Sequence, residues 1–320
     1  MQTFWRALGA VLMLTAALHS NAGAAARPAC AAAGPDASGP ATPLLTTDVV
    51  KLRQGPGLAC EVVQVLPAGT PVTPRGRAVV ADGHRWLPVA VHAVQGWVAA
   101  EYLEPDAGPV AVLMYHHLDV AGTEWSVSSA QLIAEMAWLQ AHGYTSATIS
   151  QLADASAGKA TLPPKTVVIS DDDGYPEVPT FAAILKRYGF VGTYYLPTQI
   201  ALTADQIRAL EAGGGEVCAH TVDHPNLAKL DAAGQRGEIG QNQRDLEAIL
   251  GHPVRCFAYP YGAYNADTVP ILKAFGFTSA VDVGGGPVNV NNPVDPYHIP
   301  RVQALGALTL TAFAASFSTA

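Results

Sequence analysis

The pattern of apolar and polar positions changes between residues 105 and 110. Before this point, short apolar runs such as 62–66 are separated by turns rich in Gly and Pro, a pattern typical of a small all-β barrel. After it, apolar runs of strand length alternate with longer stretches of helical periodicity. That alternation predicts an α/β fold, and seven or so strands favour a barrel of parallel strands.

Local signals bound the elements of the C-terminal half. A first strand is predicted from Val110 to Tyr115. A helix is predicted from Ser128, which forms a capping-box pattern with Gln131, to His142, where a glycine follows. The other predicted strands end near residues 170, 196, 219, 259, 281 and 302. Two further helices are predicted to end near residue 188 and before residue 251, and three more are predicted to begin near residues 203, 265 and 303.

The N-terminus has the features of a secretory signal. Arg6 precedes an apolar run at 7–18 and small residues at 22–24, which predicts cleavage of residues 1–24. The run is too short to span a bilayer comfortably, so we expect no stable membrane insertion after cleavage. Residues 25–43 are rich in Ala, Pro and Gly and are interpreted as a linker. We therefore expect an exported protein of the periplasm, cell wall or extracellular space.

Composition narrows the function classes. The chain has 320 residues, of which 49% are hydrophobic, enough for one large core or two domains. Its net charge is −8 and it has no basic run, so a nucleic-acid partner is not expected.

A run of carboxylates marks the first candidate site. Three apolar β-formers at 167–169 precede Asp171, Asp172 and Asp173, and Gly174 follows. This pattern predicts a buried parallel strand whose C-terminal end opens into a loop, where α/β proteins bind ligands. Adjacent carboxylates repel one another, so we expect a divalent cation or a buried arginine beside them.

Two histidines follow the predicted strand at 216–219. His220 and His224 are four residues apart, so one turn of helix would put both imidazoles on one face. One carboxylate with two such histidines makes a metal site that keeps positions open for water and substrate. A third polar cluster, Tyr259 to Gly262, follows another predicted strand.

These motifs together resemble the polysaccharide deacetylase family (NodB homology, carbohydrate esterase family 4) from about Pro109 to the C-terminus. The family's Thr-Phe-Asp-Asp-Gly motif stands here at 170–174, its histidine motif at 220–224 and its Pro-Tyr-Gly motif at 260–262. The resemblance implies a distorted (β/α)7 barrel. It also implies metal-dependent N-deacetylation of a polysaccharide that contains N-acetylglucosamine, with release of acetate.

The resemblance also implies a role for each motif residue. Asp173, His220 and His224 would bind Zn2+ or another divalent transition metal. Asp172 would be the general base, and the backbone N–H of Tyr261 would stabilise the oxyanion.

The general acid needs a separate argument, because the family's C-terminal Leu-x-His motif is absent. Met114 to His117 instead resembles a permuted subgroup that includes deacetylases of poly-β-1,6-N-acetylglucosamine, in which the acid follows the first strand. We therefore expect His116 to be the acid. His117 and His298 are alternatives, and a purely structural role for His116 stays open.

Two positions depart from the family pattern. Asp171 replaces the usual Phe, which would add a negative charge beside the metal, and Ala258 replaces the arginine that steadies the base. We expect Arg301, which lies within the last predicted strand, to replace that arginine. The departures also motivate an alternative, an inactive glycan-binding protein. A further alternative is a zinc amidohydrolase that acts on a small cyclic or linear amide.

The N-terminal half resembles a bacterial SH3-like domain. The family's Gly-Pro-Gly opening stands at 55–57 and its Gly-Trp-Val ending at 96–98, with Trp97 expected in the core. The resemblance implies a module at 44–104 that targets the cell wall, joined by a linker at 105–109 to the catalytic domain at 110–320. A wall-targeting module favours peptidoglycan as the substrate, whereas the permuted motif favours poly-N-acetylglucosamine.

The four cysteines allow two disulfides in an exported chain. Cys30 and Cys60 lie in the N-terminal part, while Cys218 and Cys256 lie in the catalytic part, where a bridge would brace the metal site. Connectivity cannot be deduced from the sequence, and free thiols are the alternative.

Overall fold

The computed structural model describes Cys30 and residues 43–105, 109–157, 159–289 and 294–317. The predicted signal peptide at 1–24, and the predicted linker at 25–43 apart from Cys30 and Pro43, lie outside the described residues. Within the described part of the chain, no helix combines the length and apolar character needed to cross a membrane.

The N-terminal half is an antiparallel β structure, as the SH3-like resemblance predicted. Its strands pair in the order β3-β2-β7-β6-β4-β1-β8, and β5 pairs with the N-terminal part of β6. Trp86 and Trp97 are buried in its core, and Gly96 lies against Leu52, where a Cβ would come within 2.7 Å of that side chain. The strands are β1 (Leu44–Thr46), β2 (Val50–Arg53), β3 (Val62–Leu66), β4 (Pro71–Pro74), β5 (Val79–Ala81), β6 (His84–Val91), β7 (Val94–Ala99) and β8 (Leu103–Pro105).

The C-terminal half is a closed barrel of seven parallel strands. Neighbours run in the order β9-β13-β14-β15-β16-β17-β19, and β9 pairs with both β19 and β13, which closes the ring. The predicted (β/α)7 fold is therefore confirmed. The strands are β9 (Pro109–Tyr115), β10 (His117–Leu118), β11 (Ser126–Val127), β12 (Thr145–Ala147), β13 (Thr166–Asp172), β14 (Thr193–Leu196), β15 (Glu216–Ala219), β16 (Cys256–Ala258), β17 (Ser279–Gly285), β18 (Val288–Asn289) and β19 (Ile299–Gln303).

Helices cover the outside of the barrel. Ser128 accepts a hydrogen bond from the Gln131 N–H as expected, but the Gln131 side chain turns to Glu135 instead of completing the capping box. The sequence analysis did not predict α2, although Thr148 and Gln151 form a complete capping box at its start. The helices are α1 (Ser129–Ala141), α2 (Ile149–Ser156), α3 (Val178–Arg187), α4 (Ala204–Ala212), α5 (Ala232–Leu250), α6 (Thr268–Ala274) and α7 (Leu310–Ala315).

Strand alternation divides the barrel into two apolar layers. Val112 and Val168 point into the barrel, whereas Leu113 and Ile169 pack between the sheet and the helices. The same alternation continues into the polar residues that end β13. The functional side chains therefore lie at the C-terminal ends of the strands, where a closed α/β barrel positions its chemistry.

Both cysteine pairs are bonded in the structure. Cys30 is joined to Cys60, and Cys218 is joined to Cys256 with their Cα atoms 5.0 Å apart. The second bridge connects β15 to β16 inside the barrel.

Candidate active site

One carboxylate and two imidazoles meet at the C-terminal end of the barrel. Asp173 Oδ1 lies 3.3 Å from His220 Nε2 and 3.3 Å from His224 Nε2. A ligand atom from each of the three residues lies within 4.8 Å of the others. The structure therefore brings together the three residues that the sequence analysis expected to bind a metal.

The two histidines reach this position from a loop, and the expectation of a helical turn is wrong. Residues 220–226 form no helix, and the backbone is left-handed at Thr221 (φ 69°) and His224 (φ 60°). Pro225 follows His224 directly and disfavours helical backbone at that residue. The Thr221 side chain accepts a hydrogen bond from the His224 N–H at 3.1 Å, and the ring centroids of the two histidines lie 4.7 Å apart.

Hydrogen bonds fix the orientation of His220. Its Nδ1 lies 2.8 Å from the Ala258 carbonyl oxygen, which can only accept, so Nδ1 carries the proton and Nε2 is free to act as a ligand. The backbone N–H of His220 donates to Asn242 Oδ1 at 2.8 Å. Asn242 in turn donates to the Leu196 carbonyl at 3.0 Å, which ties the loop to α5 and β14.

The donor set fits a divalent transition metal. Asp173 Oδ1 is buried and has no hydrogen-bond partner among the described residues, as expected of an oxygen atom that binds a cation. Burial alone would raise the pKa of Asp173, but the two imidazoles beside its carboxylate outweigh burial and lower that pKa below its usual range. Burial lowers the pKa of His224 and so favours the neutral imidazole that binds metals.

A buried arginine holds the neighbouring carboxylate. Arg301 Nη1 donates to Asp172 Oδ1 at 2.7 Å and Nη2 donates to Oδ2 at 2.8 Å, a bidentate pair. The Arg301 side chain is fully buried, and its Nε donates to the Asp282 carbonyl at 2.7 Å. Burial would raise the pKa of Asp172, but the charge and hydrogen bonds of Arg301 outweigh it and lower that pKa.

His116 and His117 face the same cavity in different surroundings. The His116 ring lies 5.0 Å from the ring of Trp125, and burial lowers the pKa of His116. Within the part of the chain that the structure describes, His116 Nδ1 is buried without a hydrogen-bond partner. His117 lies 3.0 Å from a Glu177 carboxylate oxygen and stacks on Tyr175 at 3.6 Å between centroids.

His298 lies outside this group. Among the described residues it is not part of the cavity lining. Its Nδ1 lies 3.6 Å from an Asp282 oxygen and its ring lies 4.7 Å from Tyr264.

The Pro-Tyr-Gly turn forms one wall of the cavity. Tyr261 (φ 60°) and Gly262 (φ 65°) are both left-handed, and a Cβ on Gly262 would meet Val283 at 2.9 Å. The Tyr261 side chain is 68% exposed and lies 4.5 Å from the His224 ring. Non-glycine residues rarely adopt this conformation, and they concentrate at functional sites when they do.

Asp171 points away from the cavity. It is buried, its Oδ1 has no hydrogen-bond partner, and it does not line the site among the described residues. Burial, with the nearby charges of Asp172 and Asp173, raises the pKa of Asp171 well above its usual range. Burial therefore opposes ionisation of this carboxyl, which the sequence analysis expected to add a negative charge beside the metal.

The candidate metal ligands, Asp172, the two histidines that follow β9 and the Pro-Tyr-Gly turn surround one cavity of about 400 Å3. Sequence reasoning did not identify Trp125 or Asn242 as site residues, because each is remote from the motifs in sequence and only the fold brings it to the site. Tyr175, by contrast, directly follows the first motif in sequence, and this position was a local signal that it could lie at the site. The cavity is lined by His116, His117, Trp125, Asp172, Asp173, Tyr175, His220, His224, Tyr259, Tyr261 and Val283.

Comparison with known families agrees with this geometry. Residues 159–280 match the polysaccharide deacetylase family model, and residues 48–104 match the bacterial SH3 domain model. Along the chain, a bacterial SH3 domain is followed by a polysaccharide deacetylase domain. It is therefore a hydrolase of the deacetylase family.

Relatives of the deacetylase domain are distant but cover most of it. YxkH of Bacillus subtilis, provisionally named a polysaccharide deacetylase, is 25% identical over 225 residues, which is 68% of this chain and 78% of YxkH. A poly-β-1,6-N-acetyl-D-glucosamine N-deacetylase of Staphylococcus aureus is 26% identical over 198 residues, covering 56% of this chain and 67% of the relative.

Solved structures share the fold. The deacetylase PplD of Streptococcus pyogenes, in complex with acetate, superposes with a TM-score of 0.61 at 21% identity, covering 66% of this chain and 99% of that one. IcaB from Ammonifex degensii superposes with a TM-score of 0.58 at 24% identity, covering 65% and 97%.

Proposed function

We propose that this protein is an exported, metal-dependent N-deacetylase that hydrolyses acetamido groups of a polysaccharide containing N-acetylglucosamine. One observation carries the proposal. The cluster of Asp173, His220 and His224 opens into the same cavity as Asp172, whose carboxylate is held by the buried Arg301. A potential metal site beside an oriented carboxylate is the arrangement that metal-assisted hydrolysis of an amide requires.

The first half of the reaction is the attack of water on the acetamido carbon. Asp173, His220 and His224 would hold Zn2+, which when bound supplies a Lewis acid for the carbonyl oxygen and acidifies a water molecule. Asp172 accepts the proton of the attacking water. Arg301 keeps that carboxylate ionised and fixes its direction through two hydrogen bonds.

The second half is the departure of the amine. We assign to the backbone N–H of Tyr261 the hydrogen bond that stabilises the oxyanion, because the turn that contains Tyr261 borders the cavity beside His224. His116 donates a proton to the nitrogen as the carbon–nitrogen bond breaks, so that the products are acetate and the free amine of the sugar. Burial lowers the pKa of His116, which makes its protonated form a stronger acid.

The cavity lining favours a neutral glycan. Among the described residues, no lysine or arginine side chain lines the cavity, so none is placed to pair with a substrate carboxylate such as those of peptidoglycan. Trp125, Tyr175 and Tyr261 give it aromatic walls that suit the apolar faces of sugar rings. We therefore favour a poly-N-acetylglucosamine type of substrate. The Staphylococcus aureus relative, named for that substrate, agrees.

The competing functions explain less. An amidohydrolase for small amides needs an enclosed pocket, whereas Tyr261 at the wall of this cavity is 68% exposed. An inactive glycan-binding protein would not need Asp172 and Arg301 to form a bidentate buried pair. We further propose that the SH3 domain at 48–104 associates the enzyme with the cell wall.

Acetate release from three polymers tests this proposal. Purified protein is incubated with poly-N-acetylglucosamine oligomers, chitin oligomers or peptidoglycan, each with added zinc or with a chelator. We expect release that is largest for poly-N-acetylglucosamine and that disappears with the chelator. Preferential release from peptidoglycan would overturn the substrate assignment, and release that survives exhaustive chelation would overturn the metal dependence.

A further inference from the structure

The junction between β15 and β16 has fewer paired residues than the junctions on either side of it. These strands share one register pair, Ala219 with Phe257. By contrast, β14 and β15 share four pairs and β16 and β17 share three. The backbone ladder alone therefore restrains this junction less than its neighbours.

This weak junction separates the two halves of the proposed site. His220 follows the last residue of β15, and His224 lies in the same loop. On the other side, β16 ends at Ala258 and leads into the turn that contains Tyr261. The distance across the junction therefore sets the position of the metal ligands relative to the proposed oxyanion donor.

The orientation of His220 depends directly on that distance. Its Nδ1 bonds the Ala258 carbonyl across the junction at 2.8 Å, so sliding or spreading of the strands would break the bond that fixes the imidazole. Such supporting contacts typically change metal affinity by about 10–100-fold when lost.

A covalent bond lies directly below this contact. Cys218 and Cys256 are each two residues before one member of the His220–Ala258 hydrogen bond, and their Cα atoms are 5.0 Å apart. Both cysteines are buried, with exposures of 0% and 1%, so the bond is shielded from reductants in solution.

We propose that the Cys218–Cys256 disulfide is a positioning element that holds His220 and the Tyr261 turn at the spacing the active site requires. This inference rests on the metal site proposed above. The bond replaces the missing backbone pairing across the junction. A protein that folds without it retains the three metal ligands but binds the metal more weakly.

The test uses substitution instead of chemical reduction. Glu216 lies close to both cysteines, and a carboxylate with two free thiols would create a second zinc site that obscures the measurement. The variant Cys218→Ala/Cys256→Ala avoids those thiols. The variant Cys30→Ala/Cys60→Ala is a matched control, because it removes the other disulfide of the same chain.

The readout is zinc affinity, measured by competition with a chromophoric chelator, with circular dichroism and thermal unfolding on each protein. We expect zinc affinity to fall by about tenfold or more in Cys218→Ala/Cys256→Ala and to stay unchanged in Cys30→Ala/Cys60→Ala. If the alanine pair does not fold, Cys218→Val/Cys256→Ala keeps more of the buried volume and undergoes the same measurement.

The outcomes separate this inference from the proposed function. Unchanged zinc affinity in the folded Cys218→Ala/Cys256→Ala protein overturns the inference and leaves the metal site intact. Equal loss in both double variants assigns the effect to general destabilisation and also overturns it. Failure of the wild-type protein to bind zinc would instead overturn the metal site itself.

Discussion

Arg301 is a fully buried cation that holds its carboxylate partner through two hydrogen bonds. Replacing it with alanine leaves the buried Asp172 without the charge that lowers its pKa, so that pKa must rise. We expect the acidic limb of the kcat/KM profile of Arg301→Ala to move up by about 1–3 pH units. The profile of acetate release against pH measures this.

Arg301→Lys is the control for that shift, because it keeps a positive charge but cannot form the fork-like pair. Its acidic limb should lie between those of the wild type and Arg301→Ala. Breaking a buried pair also costs about 3–5 kcal/mol of stability, so each profile is recorded below the unfolding temperature of its variant. An acidic limb that does not move in Arg301→Ala would exclude Arg301 as the partner of the base.

At the residue scale, the sequence predicted site residues best where a short motif specifies residue types and their spacing. It indicated which three residues come together as a candidate metal site, and the absence of a motif-three arginine indicated that Arg301 could be the partner of Asp172. It could not predict the left-handed backbone of Thr221 and His224, because that conformation depends on tertiary contacts such as the Asn242 hydrogen bond.

At the scale of elements, a buried polar network joins α1 to the first barrel strand. Tyr115 donates to Glu135 Oε2 at 2.7 Å, and Gln131 donates to Glu135 Oε1 at 3.0 Å and to the Leu305 carbonyl at 3.0 Å. Tyr115 immediately precedes His116, so the network also anchors the end of β9 beside the cavity.

Burial raises the pKa of Glu135 above its value in the unfolded chain. Between those two pKa values the folded state binds more protons than the unfolded state, so stability falls as pH rises through this window. Glu135→Gln is neutral throughout and lacks this dependence. We therefore expect the Tm of Glu135→Gln, relative to wild type, to increase from acidic to neutral pH.

Thermal unfolding of both proteins across that range checks the prediction. The difference should level off once the pH exceeds the folded pKa, with about 1.4 kcal/mol for each unit by which burial raises it. A Tm difference that is the same at every pH would contradict a raised pKa at Glu135.

The sequence predicted long, periodic elements more reliably than short ones. The apolar run of β13 and the Gly251 that ends α5 with a left-handed cap were clear from the sequence. The strand β12 and the helix α2 were missed, although Thr148 and Gln151 are a local capping-box signal at the start of α2.

At the scale of the whole molecule, the two domains have separate hydrophobic cores. The core of the SH3 domain draws on residues 44–103, and the clusters of the deacetylase domain draw on residues from 110 onward. Deleting residues 44–104 should therefore leave acetate release from soluble oligomers within about twofold of wild type. Co-sedimentation with insoluble cell wall should fall if the domain targets the wall, and unchanged sedimentation would exclude that role.

We propose that Asp173, His220 and His224 bind the metal while Asp172 performs proton transfer. Measuring zinc content and acetate release together in wild type, Asp173→Ala and Asp172→Asn tests both roles. We expect bound zinc and acetate release in wild type, neither in Asp173→Ala, and bound zinc without acetate release in Asp172→Asn. Full zinc content and activity in Asp173→Ala, or full activity in Asp172→Asn, would contradict it.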